Sequence, residues 1–160
     1  WPCPTLEHCG TPILHCEKFA CADGKGNLFG IEYRPPAEVA DAEYPFTMMT
    51  GRLIFHYHSR TQTDRSAALH YEVPASYVQI NNEDARRLGI GQHEKILITS
   101  RRGKTETIAH VTDEIGPGVL YMTMHFNEGV NNLTNTVLDP MSKMPELKHC
   151  AVKVEKIGGN

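Results

Sequence analysis

Two stretches of this sequence concentrate side chains that could do chemistry. The first is Thr50-Gly51-Arg52-Leu53-Ile54-Phe55-His56-Tyr57-His58-Ser59-Arg60-Thr61-Gln62-Thr63. Arg52 and Arg60 can each present a forked guanidinium to a phosphate. Gly51 permits close backbone approach or a positive φ. Hydroxyls and imidazoles add short-range donors, so a loop of this make-up after a strand suits a nucleotide pyrophosphate. The same run also reads as a polar surface loop. His56 and His58 would share one face of an extended segment and could hold a metal, but no third ligand stands near them in sequence.

The second stretch runs from His125-Phe126-Asn127 through Asn131-Asn132 and on to Lys148-His149-Cys150. Asparagine amides pair with purine edges and ribose hydroxyls through two hydrogen bonds at once. Lys143 and Lys148 supply point charges. The competing reading is that the asparagines cap a helix and the lysines are solvated. A third group is Cys3, Cys9, Cys16 and Cys21, with His8 and His15 among them and Cys150 far away. The odd count argues against a closed disulfide framework, and no C-x2-C knuckle is present. Reduced thiols are the simpler reading, and a small metal-binding module is the alternative.

Several motifs are absent. There is no G-x-S-x-G and no H-E-x-x-H. Gly103-Lys104-Thr105 imitates the end of a phosphate-binding loop, but Ile98 stands where its first glycine belongs.

The elements that must hold these residues follow from pattern. Residues 1–45 carry six of the ten prolines and four of the five cysteines. They read as an irregular Pro/Cys-rich extension or linker from a preceding domain, draped over a neighbour. From there the pattern is strand-like, at 46–50, 77–80, 95–100, 105–111, 119–124 and 151–154. Arg102-Gly103 turns a hairpin, and Gly116-Pro117-Gly118 turns the chain before the fifth run. One helix is clear: Asn81 or Asn82 caps it, Glu83 and Asp84 suit its positive end, and Gly89 stops it. A second short helix is expected over 128–133. Six short strands with small helical insertions predict a mainly β, closed barrel over 46–157, with a tail at 158–160.

The 160 residues and 17.9 kDa suffice for one core. Sixteen basic against nineteen acidic residues leave a net charge of −3, which excludes a nucleic-acid-coating role. No run approaches the length of a membrane span. The chain starts at Trp1 with no leader pattern behind it and reads like the middle of a protein, so we expect it to be part of a longer one. A cytoplasmic setting is expected.

The residues also resemble a known family. Trp1-Pro2-Cys3-Pro4, Gly10-Thr11-Pro12-Ile13-Leu14-His15, Tyr33-Arg34-Pro35-Pro36-Ala37-Glu38, Thr50-Gly51-Arg52, His56-Tyr57-His58 and Ser100-Arg101-Arg102-Gly103 carry the likeness. So do Asn132-Leu133-Thr134, Asp139-Pro140, Pro145-Glu146 and Cys150-Ala151-Val152. They resemble the C-terminal molybdopterin-dinucleotide-binding domain of formate dehydrogenase catalytic subunits, in the molybdopterin oxidoreductases. The resemblance implies a double-psi β-barrel and a molybdopterin guanine dinucleotide, with molybdenum or tungsten held by the parent enzyme. It implies an iron–sulfur cluster only in the parent's other parts, and the preceding domains as partner. Its site residues carry over as Thr50, Gly51, Arg52, Leu53, His56, Tyr57, His58 and Ser59 in one loop. His125, Phe126, Asn132, Lys148 and His149 are further cofactor contacts. No catalytic residue and no metal ligand falls in this chain. A nitrate reductase is the alternative parent, and a free-standing protein-interaction barrel is the alternative role.

Overall fold

The computed structural model describes residues 2–127 and 129–158. The chain forms two compact units, one up to Arg34 and one from Pro35 onward.

The first unit has no helix or strand among its described residues. Prolines and short polar turns hold it: the Thr11 hydroxyl donates to the Pro2 carbonyl at 2.6 Å, and the Phe19 N–H donates to the Gly24 carbonyl at 2.9 Å. His15 stacks on Phe19 with ring centres 5.2 Å apart. Cys3, Cys9 and Cys16 are exposed free thiols. Among the described residues, no group of three or more histidine, cysteine or acidic side chains is arranged to hold a metal.

The second unit is a closed barrel of six strands: β1 (Phe46–Gly51), β2 (Tyr77–Asn81), β3 (Lys95–Ser100), β4 (Lys104–Thr112), β5 (Val119–Thr123) and β6 (Cys150–Lys156). Around the barrel the order is β1-β5-β2-β4-β3-β6. Two pairs, β1 with β5 and β2 with β4, are parallel, and the rest are antiparallel. The closed barrel is what the strand pattern predicts, and its two parallel crossovers are the double-psi arrangement that the family resemblance implies.

Alternation of period two builds the core. Phe46 and Met48, Val78 and Ile80, Ile96 and Ile98, Leu120 and Met122, and Val152 and Val154 point inward and are buried. Truncating one of these to alanine costs about 2–5 kcal/mol. Cys150 belongs to the same core, and burial pushes its thiol up to about 11, so it is unreactive at neutral pH.

Two helices join the strands: α1 (Ala67–Glu72) precedes β2, and α2 (Asn82–Leu88) links β2 to β3. Asn81 caps α2, its Oδ1 accepting the Glu83 N–H at 2.8 Å, and Gly89 ends it in the left-handed region at φ 66°. In place of the helix expected over 128–133, the chain makes a single 3₁₀ turn at Val130–Asn132; Glu128 lies outside the described residues. Among the described residues, no helix is long and apolar enough to cross a membrane.

The strand directions decide what each rim carries. β1 and β5 end, and β2, β4 and β6 begin, at one rim, where the connections 52–76 and 124–149 and the hairpin turn 101–103 emerge. The opposite rim carries α2 and the turn at 113–118. Both chemically rich stretches therefore meet at one end of the barrel.

The segment just before β1 is tied to the barrel by charge. The Glu38 carboxylate accepts from Arg102 Nη2 at 3.0 Å and from the Ala151 N–H at 2.6 Å, and pairs with Arg101 at 3.5 Å. Arg102, hydrogen-bonded to it, holds the Glu38 carboxyl below the usual glutamate range. A carboxylate held low in the folded state adds stability above its unfolded pKa and loses it as pH falls through the folded value. Glu38→Gln should therefore cost about 1–2 kcal/mol at neutral pH, as for other charge-assisted bonds. Urea unfolding of both proteins across pH should show the gap closing below the usual glutamate range and unchanged above it.

Candidate functional site

Residues 52–62, ahead of the 3₁₀ turn at Thr63–Arg65 and of α1, are irregular, so their shape must come from contacts rather than from backbone repeats. Two buried histidines supply them. His125, on the connection after β5, is 1% exposed. Its Nε2 accepts the Leu53 N–H at 2.8 Å, and its Nδ1 lies 2.6 Å from the His58 carbonyl. An acceptor at Nε2 and a carbonyl at Nδ1 assign the neutral tautomer with the proton on Nδ1. His56 is also buried: Nε2 donates to the Val73 carbonyl at 2.8 Å, and Nδ1 lies 3.1 Å from the Thr63 hydroxyl. That hydroxyl also accepts the Tyr57 N–H at 3.3 Å. The two rings sit 6.0 Å apart, and Phe126 meets His56 edge-on at 5.9 Å.

The base of the loop is fixed as tightly. Tyr121 donates its hydroxyl to the Arg52 carbonyl at 2.8 Å and packs over Gly51, where any Cβ would fall 2.3 Å from that oxygen. Gly51 is thus required by Tyr121. Thr50 is buried and donates to the Leu147 carbonyl at 2.8 Å, while Lys148 Nζ donates to the Thr50 carbonyl at 3.0 Å. Asn135, also buried, donates to Glu146 at 2.8 Å and to the His149 carbonyl at 2.9 Å. His149 is half-buried, and its Nδ1 is sealed from solvent with no partner among the described residues. Asn132 is exposed, on the 3₁₀ turn, and its carbonyl lies against Gly103.

The residues expected from sequence separate into two groups. His56, His125, Phe126, Thr50, Gly51 and the Leu53 N–H are spent on holding the loop. Arg52, Tyr57, His58 and Ser59 are exposed on it, with Lys148 and Asn132 exposed on the facing connection. The Arg52 guanidinium has no hydrogen bond or ion pair among the described residues, and His58 adopts φ 44°. Thr63, Tyr121 and Asn135 are essential to this scaffold and were missed. Tyr121 reaches a carbonyl beyond another strand, while Thr63 and Asn135 bond within their own irregular connections, where no periodic pattern announces them.

The exposed set suits an anionic, multiply hydrogen-bonding ligand: a free guanidinium and an ammonium for charge, with an amide for an edge. His149, next to Lys148 in sequence, carries a sealed Nδ1 with no partner among the described residues. Such a set fits a pterin dinucleotide, which carries a pyrophosphate and several heteroatom edges.

Comparison with known proteins agrees. Residues 46–151 match the family model described as the molydopterin dinucleotide binding domain. The chain is 50% identical over 158 residues to the F420-dependent formate dehydrogenase 1 subunit alpha of Methanococcus maripaludis, covering 98% of this chain and 23% of that one. It is 36% identical over 174 residues to the nitrate reductase of Symbiobacterium thermophilum, again covering 98% of this chain and 23% of that one. Among solved structures, acetylene hydratase from Pelobacter acetylenicus shares the fold, with a TM-score of 0.61 at 16% identity over 72% of this chain and 19% of that one. The chain therefore spans less than a quarter of the curated relatives it matches. With its closed barrel and the match over 46–151, the chain belongs to the molydopterin dinucleotide binding domain family.

Proposed function

We propose that this chain is the C-terminal part of a formate dehydrogenase catalytic subunit, and that its loop rim closes over a molybdopterin guanine dinucleotide. The observation that carries the formate branch is identity: 50% to a formate dehydrogenase alpha subunit against 36% to a nitrate reductase, each across 98% of the chain. The geometry supports the cofactor role. Arg52 would fork onto a phosphate, Lys148 would add a second positive charge, and His149 Nδ1 would pair with a heteroatom edge. Tyr57, His58 and Ser59 would line the loop's outer edge and exclude water. His56, His125 and Phe126 hold that loop in shape from beneath.

When bound, the cofactor, with its molybdenum or tungsten, supplies the two-electron oxidation of formate to carbon dioxide. The parent's preceding domains would hold the metal ligand and an iron–sulfur cluster. This chain's own work is to bind, neutralise and cover.

The test uses the full-length parent subunit and the 160-residue chain side by side. The parent should reduce a dye with formate, contain molybdenum or tungsten, and release GMP on acid hydrolysis. The chain alone should do none of these. Nitrate-dependent oxidation of a reduced dye by the parent, with no formate turnover, would assign it to the nitrate reductase branch. Formate turnover by the isolated chain would contradict a purely cofactor-binding role.

A further inference from the structure

We propose that the cleft between the 60–76 segment and the outer wall of β3 and β4 is a binding site for an organic anion, with Arg60 holding its carboxylate or phosphate head. The cavity measures about 520 Å³. Phe126 lines it, but Arg52, Lys148 and His149 do not, so the proposal rests on residues other than those given to the cofactor's charges and edges.

Arg60 is set up in a way that its place in a surface loop does not require. Its backbone sits at φ 66°, in the left-handed region that favours glycine. Strain of this kind in a non-glycine residue concentrates at ligand clamps and active sites. The guanidinium is then fixed on two sides. Its carbon lies 4.0 Å over the Phe126 ring, and Nη1 donates to Asp64 at 3.2 Å. Asp64 is held ionised below the usual aspartate range, first by the bond from His70 Nδ1 at 2.8 Å and then by the Arg60 charge.

What remains of the fork is unsatisfied. Arg60 Nη2 has no hydrogen bond among the described residues, and Nε is sealed from solvent without a partner. Ser76, just before β2 and lining the same cleft, likewise has a sealed hydroxyl with no partner. Buried donors are almost always paired, so two orphans behind one cleft mark a place where acceptor oxygens belong. An anion meeting Nη2 first, with small rotations bringing Nε and the Ser76 hydroxyl onto it, satisfies all three. The Asn127 amide, also lining the cleft, adds a neutral donor.

The rest of the cleft sets the shape of the ligand. Pro74, Ala75 and Ile108 give an apolar wall for a carbon body. Lys95 on β3 attracts an approaching anion, while Glu106 on β4 repels a second negative group. The ligand is therefore singly headed, with its charge at the Arg60 end. Its head could belong to a free organophosphate or to an acidic side chain from another polypeptide segment, because both offer the same oxygens.

The experiment uses the 160-residue chain, with NMR detection of the Arg60 Nε–H and Asn127 side-chain amide signals at constant ionic strength. Phenylphosphate and N-acetylglutamate α-amide are the probes, and benzyl alcohol is the neutral control. At least one anionic probe should shift both signals saturably, and benzyl alcohol should not. Arg60→Gln should weaken that binding about tenfold or more, and Ser76→Ala about two- to fivefold. Tighter phenylphosphate binding would identify a free organophosphate as the ligand; tighter binding of the glutamate probe would identify an acidic side chain. Should Arg60→Gln fail to fold, Arg60→Lys replaces it, keeping the charge but losing the fork. Shifts that never saturate with either probe, or equal binding by the variants and the unaltered chain, would overturn the proposal.

Discussion

Replacing His125 with phenylalanine should leave the barrel folded and release the loop that follows β1. The ring is 1% exposed, and phenylalanine fills nearly the same volume, so the core contacts survive. What disappears is the pair of hydrogen bonds to the Leu53 N–H and the His58 carbonyl. Leaving a partly buried donor and acceptor unpaired costs about 1–3 kcal/mol each. The loop has no ladder of its own to fall back on, so the cost is concentrated in its local opening. We expect the Leu53 amide to exchange with solvent roughly 30-fold faster or more, from about 2 kcal/mol or more of lost local stability. Amides in β3 and β4 should hardly change. His125→Asn keeps one donor and one acceptor on a shorter side chain and should restore part of the protection. If Leu53 kept its protection in the phenylalanine variant, His125 would not be the loop's anchor. A global loss of protection in β3 and β4 would instead make His125 part of the core.

This arrangement also shows what a sequence can and cannot reveal. The strands were readable because alternation is local: Ile96 and Ile98, or Leu120 and Met122, declare an inward face within a few residues. Helix α2 was readable because its cap and its stop, Asn81 and Gly89, bracket it. Helix α1 was not, because none of its residues is buried and no apolar stripe marks it. The loop residues were recognised as chemically rich, yet their division of labour was hidden. Whether a histidine faces a ligand or a carbonyl depends on partners such as Val73 and Leu53, which other elements bring to it. The same holds for Glu38. Its partner Arg102 is 64 residues away, so composition alone gave no sign that the stretch before β1 is bolted to the barrel.

Arg52 is the arginine of the group this scaffold leaves exposed on the loop, and its removal should separate binding from folding. Its carbonyl is anchored by Tyr121, but its guanidinium is exposed and unpaired among the described residues. A side chain with no partner contributes little to stability, so Arg52→Ala in the 160-residue chain should unfold within about 0.5 kcal/mol of the unaltered chain. In the full-length parent, the same change should lower cofactor affinity. A bidentate bond to a charged phosphate contributes about 1.5–3 kcal/mol, equivalent to roughly 10- to 100-fold in occupancy at limiting cofactor. Arg52→Lys keeps the charge and loses the planar fork, so it should fall between the two. Thermal unfolding of the isolated chain and pterin content of the parent are the two readings. A destabilised isolated chain with normal pterin content in the parent would make Arg52 a structural residue. Unchanged values in both would move the phosphate contact to Lys148, another exposed cation of this rim, whose ammonium otherwise caps the Thr50 carbonyl.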